Sequence, residues 1–506
     1  MTSSTWLKKA DATNLSIHNF INGEYCAISP DEAKPRMIEK HSPRDGRLLY
    51  SFPEGNQRDV DAAVANAREA FEDGRWSDKS MPERVAILNK LADLIDENAE
   101  QLAGQECLDV GKPIAKAEGY DLPVASGRIR NVCADALQML APSGADLGYH
   151  AYQCRTPAGV VGGIAAWNFP LCVTISKVAP ALVMGNSIVL KPSEFTPLSV
   201  MLLAKLAVDA GVPPGVFNVV QGAGQTVGAA LVAHNDVNLV SFVGSTATGR
   251  AIMSSAGQSN MKRVILECGG KSPYLVFDDC HEDLDYLAQD IVDTAFANQG
   301  QLCVAGTRLL IQDSMREKLL PLIVKKAQEL QPNDPQDPNT GFGALINEAH
   351  MNKVLGYIQS GTDEGAELLT GGKRVVPQDN SELAGGFYIE PTIFDQVKPG
   401  FKIEQEEIFG PVLSVVTFKD EEEAIRIANG TCFGLASYAA TTDLGRAMRL
   451  GRKIQAGALT VLGTNNPTGG GINISHEKQK QSGMGWSGGV DGLAAYTVTT
   501  GVHILT

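Results

Sequence analysis

The nine cysteines of this 506-residue chain do not fall into any metal-binding or cross-linking pattern. They are odd in number and scattered, with no C-x-x-C pair and no Cys/His cluster, which excludes a recognisable zinc site or disulfide framework. No apolar run is long enough to span a bilayer. The opening MTSSTWLKKADATNLS carries no apolar core of signal-peptide length. Positive charge is also short: 43 Lys plus Arg stand against 58 Asp plus Glu, a net charge of −15. With no basic face, nucleic acid and anionic membranes are poor partners. These absences give the expectation of a soluble chain in a reducing compartment, the cytoplasm. Its length suggests roughly two to four domains.

What the chain does have is periodicity. HNFINGEY (His18 to Tyr25) reads as a short strand and turn. Val60, Ala63, Val64, Ala67 and Phe71 share one helical face. Val85, Leu88, Ala92, Ile95, Ala99 and Leu102 share another, with Pro82 in its first turn. From Gly159, short β-branched runs alternate with helical ones. Strands are expected at 160–165, 187–190, 216–220, 239–243 and 263–266, and helices near 171–184, 197–210, 225–234 and 247–256. Strand then helix implies a parallel sheet covered on both faces, with ligands at the carboxyl ends of its strands. A second series runs from Ser272 to about Leu462, opening with a strand at 274–277, a helix at 283–298 and a strand at 308–312. The β-prone tail AAYTVTTGVHILT needs a partner strand, from another subunit or from its own domain.

One thiol stands out. Cys303 lies in FANQGQLCVAGTR (Phe296 to Arg308), among small and polar residues directly after a helix. A free cysteine has a pKa of about 8.5, so a nucleophilic role needs a positive dipole or a base. The commoner use of such a residue is as a small buried hydrophobe. Four further motifs close strands of the first series: WNFPL (Trp167 to Leu171), KPSE (Lys191 to Glu194), FVGSTATG (Phe242 to Gly249) and LECGGKSP (Leu266 to Pro273). Together with EEIFGPV (Glu406 to Val412), these six in this order resemble the aldehyde dehydrogenase superfamily over about Phe20 to Thr497. Stretches such as SNMKRVILE look most like its bacterial branch acting on γ-glutamylaminobutyraldehyde and related aminoaldehydes.

The resemblance implies an α/β fold of two doubly wound, Rossmann-like parallel-sheet domains with a small β oligomerisation arm. Residues 1–135 and 155–266 would bind the dinucleotide, 267–470 would be catalytic, and 136–154 and 478–506 would bridge the subunits of a homo-oligomer, a dimer or homotetramer. It implies oxidation of an aldehyde to the carboxylic acid through a thiohemiacetal and then a thioester on Cys303. The Asn168 side chain and the Cys303 N–H would hold the oxyanion. Asn168 has a second reading, as N-cap of the helix that follows. Glu267 would activate water, with its pKa raised at the end of a buried strand. The glutamate also favours hydrolysis over transfer to coenzyme A. Lys177 would help relay the proton.

NAD is the implied cofactor, and no metal is implied. Its contacts would be Trp167, Lys191, Ser193, Glu194, Gly224, Gly244, Ser245, Gly269, Glu407 and Phe409. The glycine turns QGAGQTVG (Gln221 to Gly228) and GSTATG (Gly244 to Gly249) both lack G-x-G-x-x-G spacing, so as motifs they say little alone. Glu194 would bond a ribose 2′-hydroxyl and repel a 2′-phosphate, which favours NAD over NADP.

Three departures from the family pattern bear on the reading. Ser176 precedes Lys177 where an aromatic residue is common. GGGINISHEKQKQSGMGWS matches the family's P-F-G-G-x-K-x-S-G-x-G-R-E only at Lys480, Ser482, Gly483 and Gly485, so the usual glutamate of the relay falls at Ser487. Leu462 replaces a usual asparagine. Ser176 and Leu462 suggest an unusual mouth lined by Thr464, Asn465 and Asn466, suited to a polar or bulky aldehyde such as a semialdehyde or aminoaldehyde. A catalytically impaired binding or structural protein on the same fold is the alternative, opposed by the presence of Cys303, Glu267, Asn168, Lys191 and Glu194.

Overall fold

Five short β-branched runs form the parallel centre of an eight-stranded sheet. Across the sheet they stand in the order Phe217–Val219, Ser187–Lys191, Val160–Ile164, Leu239–Val243, Arg263–Glu267. Val160–Ile164, Ser187–Lys191 and Leu239–Val243 are buried along their whole length, as strands covered on both faces must be. Chain order reverses between Val160–Ile164 and Leu239–Val243, and such a switch opens a crevice at the carboxyl ends. The sheet's edges depart from the all-parallel expectation. The hairpin Asn19–Ile21/Glu24–Cys26 runs antiparallel to Phe217–Val219. At the other edge Gly483–Met484 returns to pair antiparallel with Arg263–Glu267, setting Gly483 opposite Glu267.

This computed structural model describes residue 7 and residues 15–29, 36–139, 144–146, 150–463 and 474–504. A second sheet of seven strands is built from Pro273–Val276, Arg308–Gln312, Glu367–Thr370, Thr392–Asp395, Val412–Phe418, Ala436–Ala440 and Ala458–Leu462. All are parallel except the edge strand Glu367–Thr370. The tail strand Thr497–Ile504 pairs with His150–Pro157 of its own chain, which pairs in turn with Gly144–Asp146. Among the described residues no helix is long and apolar enough to cross a membrane.

Two helical expectations need correction. The face from Val85 to Leu102 belongs to two helices, Met81–Glu97 and Ala99–Val110, broken at Asn98. The Asn98 amide bonds back to the Leu94 carbonyl at 2.8 Å, a side-chain competitor that apolar periodicity cannot reveal. The helix expected at 283–298 ends at Phe296 and passes into a tight turn, Ala297–Gly300.

The second sheet carries a buried ion pair at its centre. Arg308 is fully enclosed and donates to Glu404 Oε1 at 2.8 Å and to the Ile427 and Ala428 carbonyls at 2.8 and 2.6 Å. Removing one partner of such a pair leaves the other charge buried, at a cost of about 3–5 kcal/mol. Arg308→Met should therefore lower the chemical-denaturation midpoint sharply, and adding Glu404→Gln should recover part of the loss. A midpoint unchanged in Arg308→Met would contradict a structural role for the pair.

Candidate active site

Cys303 sits in a loop bent by its own sequence. Asn298, Gln299 and Gly300 all have positive φ, at 49°, 59° and 71°. Glycine accepts this region freely and asparagine tolerates it, whereas most side chains are strained there. A Cβ on Gly300 would lie 2.2 Å from the Gly410 carbonyl oxygen, so the second sheet's loops press directly on this bend. The loop is held from both sides. Asn168 Nδ2 donates to the Gln301 carbonyl at 2.9 Å, and Asn298 Nδ2 donates to the Asn168 carbonyl at 3.0 Å. Gln301 Oε1 accepts the Ile346 N–H at 3.0 Å, and the Tyr438 hydroxyl donates to the Val304 carbonyl at 2.9 Å.

Asn168 follows the Val160–Ile164 strand and lines the reaction cavity with Cys303. An amide nitrogen has two hydrogens. One anchors the cysteine loop, and the other is free for an oxyanion. The N-cap reading of Asn168 does not hold. The helix runs Pro170–Val183, Phe169 is its N-cap, and the Leu171 N–H is taken by Glu106 Oε1 at 3.0 Å. Glu106 shares Lys112 with Asp121, so a buried three-charge cluster fixes the start of this helix.

Glu267 ends its strand directly against the thiol: Cys303 Sγ donates to Glu267 Oε1 at 3.7 Å. The two groups shift oppositely. Burial pushes the Cys303 thiol well above the ordinary range, and the carboxylates Glu267 and Glu407 push it further. Burial also pushes Glu267 upward, but Lys478, Lys177 and Arg128 outweigh it and hold Glu267 below its usual value. The expectation of a raised Glu267 is thus overturned, because three cations surround the carboxylate. Lys177 is 2% exposed, and burial draws it down to about 7 against the pull of Glu267. At rest the pair is a neutral thiol facing an ionised carboxylate.

Most of the residues expected to hold a dinucleotide lie along the carboxyl edge of the first sheet, and Glu407 and Phe409 face them from the loop before Val412–Phe418 of the second. Lys191 Nζ is buried and donates to the Gly222 carbonyl at 2.9 Å and to Glu194 Oε2 at 3.2 Å. Ser193 accepts the Phe195 N–H at 3.3 Å. Gly224 opens the next turn, and a Cβ there would meet nothing within 4 Å. Gly244 precedes Ser245, which caps Thr246–Gln258 by accepting the Thr248 N–H at 3.2 Å and leaves that helix's first N–H groups free for an anion. Glu407 Oε1 accepts the Gly270 N–H at 2.9 Å, and a Cβ on Gly269 would lie 2.4 Å from Glu407 Oε2. Trp167, Phe409 and His350 make an edge-to-face cluster with centroids 5.3 to 6.1 Å apart on the same wall.

Sequence reasoning missed Lys478, Arg128 and His350. Lys478 is only 4% exposed and is the strongest cation on Glu267. The signal was present in the motif: aligned on Lys480, Lys478 stands where the pattern has a glycine. It donates to Ser487 Oγ, so the serine that replaces the usual acid is paired with the lysine that replaces the glycine. Arg128 sits on Leu122–Gln138 and donates to the Cys172 carbonyl at 3.1 Å. Burial holds His350 down at about 4 while its Nε2 bonds the Phe409 carbonyl oxygen at 2.7 Å.

The expected mouth also changes. Leu462 is packed in the core of the second sheet, and Ser176 bounds a chamber behind Glu267, so neither shapes the opening. Thr464, Asn465 and Asn466 lie outside the described residues.

The sequence model of the Aldehyde dehydrogenase family matches residues 30–502. The chain is 43% identical to the NADP/NAD-dependent aldehyde dehydrogenase PuuC of Escherichia coli (strain K12), covering 97% of this chain and 96% of that protein. It superposes with a TM-score of 0.94 and 41% identity on the indole-3-acetaldehyde dehydrogenase AldA of P. syringae, solved with NAD+ and IAA, covering 100% of each chain. It also matches the gamma-glutamyl-gamma-aminobutyraldehyde dehydrogenase of Burkholderia cenocepacia J2315 (TM-score 0.93, 40% identity, 100% of this chain and 99% of that one).

The raised thiol sets a pH dependence. In the ligand-free protein, alkylation of Cys303 by iodoacetamide should be slow at pH 7 and rise about tenfold per pH unit without levelling by pH 9. A plateau below pH 8, followed by mass spectrometry of the Cys303 peptide, would mean that the thiol is not raised.

Proposed function

Because the chain belongs to the aldehyde dehydrogenase family, we propose that Cys303, Asn168 and Glu267 carry out NAD-dependent oxidation of an aldehyde to its acid. The observation that carries this reading is the 3.7 Å contact between the Cys303 thiol and an ionised Glu267, with Asn168 on the same cavity. Glu267 takes the thiol proton as sulfur adds to the aldehyde carbon. The free Asn168 hydrogen and the Cys303 N–H then receive the oxyanion, and one such donor is worth about a hundredfold to a thousandfold in rate. NAD held on the wall of Trp167, His350 and Phe409 would supply the acceptor for the hydride of the thiohemiacetal. The acyl group remains as a thioester on Cys303. Once Glu267 has released the thiol proton to solvent it removes a proton from the water that attacks the thioester, and the C–S bond breaks to free the acid and return the proton to the Cys303 sulfur. Lys177 and Lys478 keep Glu267 ionised between turnovers.

The residues fit the dinucleotide. The free helix end at Ser245 and Thr246 suits a pyrophosphate, and Glu407 Oε2 is open to a ribose hydroxyl. The Trp167, His350 and Phe409 wall suits the nicotinamide ring. Glu194, held beside Lys191, favours a 2′-hydroxyl over a 2′-phosphate, hence NAD over NADP.

The substrate we propose is a bulky polar aldehyde, a semialdehyde or aminoaldehyde. A reaction cavity of about 390 Å³ shares Tyr120, Phe169, Leu302 and Val304 with an outer vestibule of about 750 Å³. That is ample room for a long tail. Exposed Asp293 stands on the vestibule wall, where it can meet an ammonium group. The relatives named for aminoaldehyde substrates support the same class. We assign the working form as a homo-oligomer in the cytoplasm. Residues 1–135 and 155–266 form the dinucleotide domain, 267–470 the catalytic domain, and 136–154 with 478–506 the bridging segments. The tail strand Thr497–Ile504 at the edge of its three-stranded sheet supports a subunit contact, and nine unbridged cysteines suit a reducing compartment.

Cys303→Ser should abolish NADH formation from any aldehyde. Glu267→Gln should lose steady-state turnover, stalling release of the acid; full turnover in that variant would remove Glu267 from the base role. Asp293→Asn should raise KM for an aminoaldehyde about two- to fivefold and leave a neutral aldehyde of equal length unchanged, as befits an exposed ion pair. Equal changes for both substrates would sink the tail assignment.

A further inference from the structure

Behind Glu267 lies a second chamber of about 280 Å³, bounded by Arg128, Lys177, Lys478 and Ser487. Glu267 and Arg128 line this chamber and the reaction cavity alike, and with Val173, Val243 and Val304 they form the partition between the two. The chamber therefore gathers three cations around a single carboxylate, and that carboxylate is turned toward Cys303. The lysines are buried yet under-used. Among the described residues Lys177 Nζ has one bond, to Ser176 Oγ at 3.3 Å. Lys478 Nζ donates to Ser487 Oγ and, at 3.3 Å, to the Gly485 carbonyl. Among the described residues neither is in ion-pair contact with a carboxylate. Of two cations buried as deeply, Lys112 holds two carboxylates and Arg308 one.

An enclosed ammonium with unused donors is an unfavourable arrangement that an anion relieves. The chamber has room for a small ion and its water. We propose that it is a binding site for a small oxyanion of the carboxylate or phosphate class, held by Lys177, Lys478 and the Ser487 hydroxyl, with Arg128 facing them. The ion would restore behind Glu267 the proton acceptor that a serine at 487 does not supply. The site goes beyond the oxidation of aldehydes, and its occupancy is read without any aldehyde present, so failure of one reading leaves the other standing.

The test is isothermal titration of the protein in excess NAD, which fills the pyrophosphate site, at constant ionic strength. Inorganic phosphate and acetate are titrated separately to distinguish the two sources of the oxyanion. Saturable one-site heat is expected with at least one of them. Lys478→Met should weaken that binding about tenfold. Ser487→Glu retains both lysines and sets a carboxylate against Lys478, so it should weaken binding at least as much. It carries the test if Lys478→Met fails to fold. No saturable heat with either ion, or equal affinity in the wild-type protein and the folded variants, would overturn the proposal.

Discussion

The bond from the Asn168 amide to the Gln301 carbonyl joins two parts of the chain that belong to different sheets. Asn168 lies in the loop after a strand of the first sheet, and Gln301 lies in the loop that leads into the second. Asn298 returns the bond to the Asn168 carbonyl, so the two segments are clamped in both directions. Everything else at the site is referenced to this clamp. It sets how far Cys303 stands from Glu267, which side of the thiol faces the vestibule, and where Trp167 and Phe409 meet. The left-handed bend at Asn298 to Gly300 is tolerable only because these amides and the pressing Gly410 carbonyl define it from outside.

Electrostatics then separates two groups that touch. Burial raises both the thiol and the carboxylate, favouring the protonated form of each. The three cations outweigh burial at Glu267, whereas at Cys303 burial and the two carboxylates prevail, so only the carboxylate is pulled down. The result is a proton donor and a proton acceptor in contact, with the carboxylate already in the state that can take the thiol proton. Activation therefore needs a single proton transfer over one hydrogen bond, with no rearrangement of the scaffold.

Much of this was legible from the residues. The alternating β-branched runs located all five central strands, because four of them are buried on both faces and the fifth, Arg263–Glu267, keeps the apolar run Val264–Leu266. The strand ends carrying Trp167, Lys191, Ser245 and Glu267 were readable for the same reason, since glycines and polar residues interrupt those runs. The break at Asn98 was not legible, because one side-chain amide made it and the apolar face continued across it. The state of Glu267 was misread because its counter-charges come from Leu122–Gln138, Pro170–Val183 and the segment near residue 478, far apart in the chain. Local sequence gives the burial of a strand end and says nothing of which distant cations fold onto it.

The returning strand Gly483–Met484 has a consequence for how the protein is made. The edge of the first sheet beside Glu267 is covered by residues synthesised after the whole second sheet. A nascent chain that already holds Cys303, Asn168 and most of the first sheet still has an open strand edge there. Until the last segment emerges, Glu267 lacks Lys478, the strongest of its cations. Vectorial synthesis thus withholds the reactive state of the thiol pair until the final residues dock, and it exposes an unpaired edge on the ribosome that a chaperone would have to shield.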